Sequence, residues 1–207
     1  MRSLQVTASA LFLSTLIGIP VGTWLALQRF PGKRLATALI YTGMGLPPVV
    51  VGLVVYLFLS RSGPLGDLGW LFTVRAMVVA QVIIATPLII GVTMSSVLGV
   101  DPALRPQLRA LGATPAQATR AQLMEARFGV IVGLVAKFGS IISEVGAVML
   151  VGGNIDGRTR VLTTAVVLET RRGNYDYALA LGIILLALSF VANLIMVLGQ
   201  GKGLHQA

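Results

Sequence analysis

The sequence predicts an all-α polytopic membrane protein of about five transmembrane helices, and three observations carry that expectation. Of its 207 residues 56% are hydrophobic and only 11% are charged, where a soluble domain carries about 25% charged residues. The few charges are gathered at intervals, with long charge-free stretches between them. Glycine (24) and proline (9) are numerous, as in membrane helices, where neighbouring helices satisfy the backbone groups that a proline frees. Disorder is excluded, because its signature is low hydrophobicity.

No charge falls between Arg2 and Arg29, between Arg34 and Arg61, between Arg75 and Asp101, or between Asp176 and Lys202. A helix rising roughly 1.5 Å per residue needs about 20 residues to cross the hydrocarbon. Spans are therefore expected at 3–28, 35–60, 76–100 and 177–200. A fifth, 128–152, lies in the apolar stretch Phe128 to Ile155, which only Lys137 and Glu144 interrupt; their charges must face protein or water. The first span exceeds the apolar core of a cleavable signal peptide and is expected to stay in the membrane. Five spans place the termini on opposite sides. One side collects Arg29, Lys33, Arg34, Arg105, Arg109, Arg120, Arg127 and Lys202; the other collects Arg2, Arg61, Arg75, Arg158, Arg160, Arg171 and Arg172. The counts nearly balance, and the tight turn from Arg29 to Arg34 assigns the first set to the cytoplasm, since short loops carry most of the positive-inside rule.

Several chemistries lack their materials. There is no cysteine, which removes disulfides, thiol catalysis and thiolate metal sites. The single histidine, His205, leaves no His-based metal cage and no Ser-His-Asp triad. A Walker loop needs Gly-Lys followed by Ser or Thr, and the three lysines here are followed by Arg34, Phe138 and Gly203. The chain is not an ATP motor.

The loop 101–127 reads as two helices joined by a turn. Asp101-Pro102 and Thr114-Pro115 are start signals and Gly112 suits a helix C′ position. In the first of these helices Leu104, Leu108 and Leu111 share one stripe and Arg105 and Arg109 another. Such a helix either docks into a partner's groove or lies in the lipid interface. In the second span Gly43, Gly45, Pro47 and Pro48 sit together. Two adjacent prolines remove two donors, so the break either lines a cavity or subunit seam or is a tolerated kink. Thr86-Pro87 in the third span is the weaker version. Glu144 is the one acid inside a span; about seven residues and 10 Å from Lys137 along a helix, it fits a structural or gating role better than a ligand for an anion. The outer segment 153–176 holds a short apolar piece, Val161 to Leu168, that is either a re-entrant gate or a surface helix. Thr163 and Thr164 on it can offer hydroxyls to a pathway, and Arg158, Arg160, Arg171 and Arg172 form a basic rim around it. Gly18-x-x-x-Gly22 and Gly129-x-x-x-Gly133 permit close helix approach, inside the bundle rather than between subunits.

The stretch Arg109-Ala-Leu-Gly-Ala-Thr-Pro115 followed by Leu123-Met-Glu-Ala-Arg127 resembles the cytoplasmic coupling loop of ABC importer permeases. Gly112 matches the family glycine, while Pro106-Gln107-Leu108 stands where that family has Glu-Ala-Ala and Met124 where it has the later proline. Three further segments extend the likeness over residues 3–200: Gly45-Leu-Pro-Pro-Val-Val-Val-Gly52, Ile142-Ser-Glu-Val-Gly-Ala-Val-Met-Leu-Val-Gly-Gly-Asn154, and Thr159-Arg-Val-Leu-Thr-Thr-Ala165 with Leu168-Glu-Thr170. Together they resemble the permease subunit of tungstate/molybdate-type ABC importers.

The resemblance implies a type I importer fold, a single permease domain over 1–207, and a multi-pass location in the cytoplasmic (inner) membrane of a prokaryote. It implies a homodimer, a cytoplasmic ABC ATPase dimer that binds ATP and Mg, and an extracytoplasmic oxyanion-binding protein, with no nucleic-acid partner. Leu104, Leu108, Leu111, Gly112 and Ala113 would couple to the ATPase, and Pro47, Pro48, Glu144, Thr163 and Thr164 would line the pathway or its gate. The rival reading is a self-contained secondary transporter or channel driven through Glu144. It would require an inverted repeat, and five unequal spans show no matching half.

Overall fold

The computed structural model describes residues 2–198; Met1, the last two positions of the expected 177–200 span, Lys202 and His205 lie outside the described residues. The chain folds as α1 (Arg2–Leu27), α2 (Lys33–Met44), α3 (Pro48–Leu59), α4 (Val74–Leu98), α5 (Leu104–Ala110), α6 (Pro115–Glu125), α7 (Arg127–Ile142), α8 (Gly146–Gly152), α9 (Leu162–Arg171) and α10 (Tyr175–Leu198), with one 3-10 turn at Gly66–Leu68. Three helices, α1, α4 and α10, are each long and apolar enough to cross a membrane.

Two expected spans are not continuous helices. The 35–60 stretch is α2 and α3, bent by 99°, and the 128–152 stretch is α7 and α8, bent by 54°. At the first break Pro47 and Pro48 withhold the donors that helix continuation would bring to the carbonyls of Gly43 and Met44. The Leu46 N–H reaches back to the Gly43 carbonyl at 3.4 Å, and Pro47 becomes the N-cap of α3. At the second break no proline is involved. The Ser143 hydroxyl donates to the carbonyls of Gly139 at 2.8 Å and Ser140 at 3.2 Å, closing α7. Glu144 Oε1 accepts from the Ala147 N–H at 3.1 Å, opening α8 with a carboxylate at its positive end.

The hub is α4, which packs against α1, α2, α3, α7 and α8. Close approach is built in by the small-residue pairs. A Cβ at Gly22 would lie 2.6 Å from the Ile90 carbonyl oxygen, one at Gly129 would lie 2.5 Å from Ser96 Oγ, and one at Gly133 would collide with Val92. Both motifs therefore face α4 within the chain. Two buried clusters bracket the hub: Val6, Val51, Val55, Met77 and Val148 with their neighbours at one end, and Leu25, Ile90, Met94 and Val97 with theirs at the other. Between them the buried core thins to Ala85, Ile89 and Ile141. By contrast α10 touches mainly α9 and α7, and its apolar face is turned outward.

Candidate functional site

At the level where the core thins, the two helix breaks face α4 across a cavity of about 160 Å³, lined by Met44, Leu46 and Pro48, by Gln81 of α4, and by Lys137 and Glu144. Pro48 and Glu144 are thus brought together as expected pathway residues, while Pro47 acts one position back as the cap. Lys137 is only 4% exposed, and no carboxylate lies within 4.0 Å of it among the described residues. The Gln81 side chain, also 4% exposed, donates to the Ile141 carbonyl at 3.3 Å while its Oε1 has no partner. A cation and an acid thus share one small space between two broken helices. Chemically it can host a small polar or charged solute; no cluster of three metal-ligating side chains occurs among the described residues.

The outer segment is joined to this cavity through the main chain of Glu144. The Thr163 hydroxyl donates to the Glu144 carbonyl at 3.2 Å, and the Leu162 N–H donates to Ser3 Oγ at 2.9 Å, tying α9 to both α1 and the second break. Thr164 is fully buried, its hydroxyl donating to the Val161 carbonyl and accepting from the Val161 N–H, both at 3.1 Å. The hydroxyls that the sequence offers to a passing solute are therefore directed to backbone carbonyls, because a buried helix start must satisfy its own polar groups first. Of the rim arginines, Arg160 pairs with Asp156 at 3.1 Å and Arg172 with Glu169 at 3.0 Å. Arg158 and Arg171 are exposed and have no ion-pair partner among the described residues.

The loop 101–127 forms α5 and α6, with Gly112 and Thr114 in their expected places. Asp101 Oδ1 accepts from the Ala103 N–H at 2.8 Å in a turn ahead of α5; the N-cap is Ala103 with no side-chain cap, so the expected cap at Asp101 with Pro102 in the first helical position does not form. Gly112 is left-handed, φ 88°. The Ala113 N–H bonds to the Leu108 carbonyl at 3.0 Å and the Gly112 N–H to the Arg109 carbonyl at 3.1 Å, a Schellman closure. Thr114 and Gln117 form a reciprocal capping box. The leucine stripe is divided: Leu104 packs against the cluster of Leu25, Ile90, Met94 and Val97, Leu108 is half-buried, and Leu111 is 85% exposed. At the neighbouring turn Lys33 donates to the carbonyls of Ala26 at 3.1 Å and Gln28 at 3.0 Å, a cation at the C-terminus of α1.

Sequence reasoning missed Lys137 and Gln81 as wall residues and missed the bend between α7 and α8. The available signal was the polar run Lys137, Ser140, Ser143, Glu144 at helical spacing inside an apolar span.

Comparison with known proteins agrees with this architecture. The model of the family described as binding-protein-dependent transport system inner membrane component matches residues 18–200. A probable anion ABC transporter permease protein of Haloferax volcanii is 45% identical over 92% of this chain and 84% of its own length. The tungstate uptake system permease protein TupB of Peptoclostridium acidaminophilum is 38% identical over 94% of this chain and 85% of its own. An inward-facing structure of the MetNI methionine ABC transporter superposes with a TM-score of 0.75 at 22% identity, covering 96% of this chain and 92% of that one; the shared fold is that of type I ABC importer permeases. With most of its length inside the family's match, and with an all-helical bundle broken in two places around a polar cavity, this chain belongs to the binding-protein-dependent transport system inner membrane components, as the multi-pass permease of an ABC importer.

Proposed function

We propose that the cargo is a tetrahedral oxyanion, tungstate or molybdate, and that two copies of the chain work with an ABC ATPase dimer and an extracytoplasmic oxyanion-binding protein. The 38% identity to a tungstate permease over nearly the whole chain supports the cargo. The observation that carries the coupling is Leu111, a large apolar side chain 85% exposed at the end of α5 and held there by the left-handed Gly112. An apolar knob on a rigid turn is what an ATPase groove can grip, and one such anchor can dominate an interface. In this reading ATP and Mg reside in the ATPase, α5 and the Arg29–Arg34 turn face the cytoplasm, and α9 with its arginines faces the delivery protein. Cargo crosses beside the breaks at Pro48 and Glu144.

The test is uptake of radiolabelled tungstate by proteoliposomes holding the permease, its ATPase and the binding protein. The wild-type complex accumulates tungstate only with ATP and binding protein. Leu111→Asp puts a charge where an apolar groove is expected, so ATPase copurification and uptake fall by about tenfold or more while the permease itself remains folded. Full copurification and uptake in that variant refute the coupling role, and ATP-independent accumulation by the permease alone restores the rival secondary transporter.

A further inference from the structure

We propose that Lys137 is an anion station within the permease, where a tetrahedral dianion pauses between the outer and inner openings, and that Glu144 is the counter-charge that prevents it from being held. The proposal rests on the importer reading above and deepens it.

Lys137 lies ten residues into α7 from Arg127, about 15 Å along the axis at the helical rise, half of a hydrocarbon core about 30 Å thick. An ammonium at that depth is costly and normally finds a partner. Here it is 4% exposed and lacks a carboxylate within 4.0 Å among the described residues. Glu144 lines the same cavity, but its Oε1 is committed to the Ala147 N–H. The 160 Å³ space holds about five waters at about 30 Å³ each, room for a small oxyanion keeping part of its shell.

The chemistry of the wall suits transit rather than storage. A lysine is a point charge with rotatable donors, without the rigid two-pronged grip of arginine on an oxyanion. Ser140, on the same wall, adds a hydroxyl donor. The Glu144 carboxylate repels the dianion that Lys137 attracts, so binding is weak enough to be reversed. The Thr163 hydroxyl ties the main chain of Glu144, though not its carboxylate, to α9.

The experiment uses the complete complex in proteoliposomes with radiolabelled tungstate. Lys137→Met is expected to lower uptake by about 30-fold or more, since the dianion then meets only an acid, while Lys137→Arg keeps the charge and at least about a fifth of the rate. Glu144→Gln retains an oxygen to cap α8 and loses the charge. It is expected to lower both KM and maximal rate by about threefold or more, the pattern of a cargo bound more tightly and released more slowly. Uptake by Lys137→Met above half the wild-type rate overturns the station, as does a Lys137→Arg variant no better than Lys137→Met. If Lys137→Met fails to copurify with the ATPase, the arginine and Glu144→Gln variants decide, and unchanged KM and rate in Glu144→Gln overturn the proposal. The importer reading fails on different grounds, namely a wild-type complex with no ATP-dependent uptake.

Discussion

Two proline sites in this bundle behave oppositely. Pro87 sits inside α4, which runs unbroken from Val74 to Leu98, whereas Pro47 and Pro48 turn the chain by 99°. In α4 the Thr86 hydroxyl donates to the Val82 carbonyl at 2.7 Å, next to the turn where the proline ring removes a donor, and the ring packs on Gly43 of α2. Close neighbours on several sides hold that helix on its course. At the α2–α3 break two successive donors are missing, and two glycines of low helix propensity precede them. A single proline is absorbed in a continuous helix, at Pro87 in the packed α4 and equally at the exposed Pro20 of α1, whereas two in succession behind two glycines break the chain.

The largest effect is expected in the hub. Gly22→Leu drives a side chain into the Ile90 carbonyl, a backbone atom that cannot step aside, at a cost of about 3 kcal/mol or more. Folded permease, measured as monodisperse protein after detergent extraction, should be nearly lost. Replacing Pro47 and Pro48 together by Ala returns two donors and relieves about 3 kcal/mol per proline of resistance to a straight helix. The variant should copurify with the ATPase and fail to transport, while Pro87→Ala should change uptake by less than about threefold. Equal losses from the two substitutions would erase the distinction between hub and break.

A smaller effect is expected at the link between the second break and α9. Thr163→Val keeps the volume and removes the hydroxyl that reaches the Glu144 carbonyl. The loss is about 1 kcal/mol of a buried hydrogen bond, seen as a fall of a few degrees in thermal stability and a modest drop in uptake. Smallest of all should be Arg158→Gln with Arg171→Gln. These exposed arginines act through a field screened over about 8 Å at physiological salt, so uptake should fall about twofold at low ionic strength and converge with wild type at high salt.

Much of this arrangement is legible in the residues themselves. Three of the charge-free stretches locate α1, α4 and α10 because the hydrocarbon tolerates few charges, and Gly112 and Thr114 mark helix ends because their caps are local. The bend after α7 is not legible in this way. It depends on the Ser143 hydroxyl and the Glu144 carboxylate turning to nearby backbone, a choice that the packing of α8 on α3 and α4 decides. The same holds for the leucine stripe, where packing of Leu104 against the Leu25, Ile90, Met94 and Val97 cluster leaves Leu111 exposed. Thr163 and Thr164 show a third case, since a hydroxyl's partner is set by which carbonyl tertiary structure leaves unpaired. Lys137 is visible as a charge in a span, but that no carboxylate comes within 4.0 Å of it among the described residues is a property of the fold.

The central claim, that the helix breaks and not the hub carry the cargo, is tested most directly by cysteine accessibility, and the chain's lack of cysteine gives a clean background. Ser140→Cys sits on the cavity wall, and Ser14→Cys is fully buried where α1 meets α4. In the complete complex cycling with ATP, a negatively charged, membrane-impermeant thiol reagent should modify position 140 and leave position 14 untouched, and saturating tungstate should slow the reaction at 140. Absence of reaction at 140 in every nucleotide state, or reaction there that tungstate does not slow, would contradict the account.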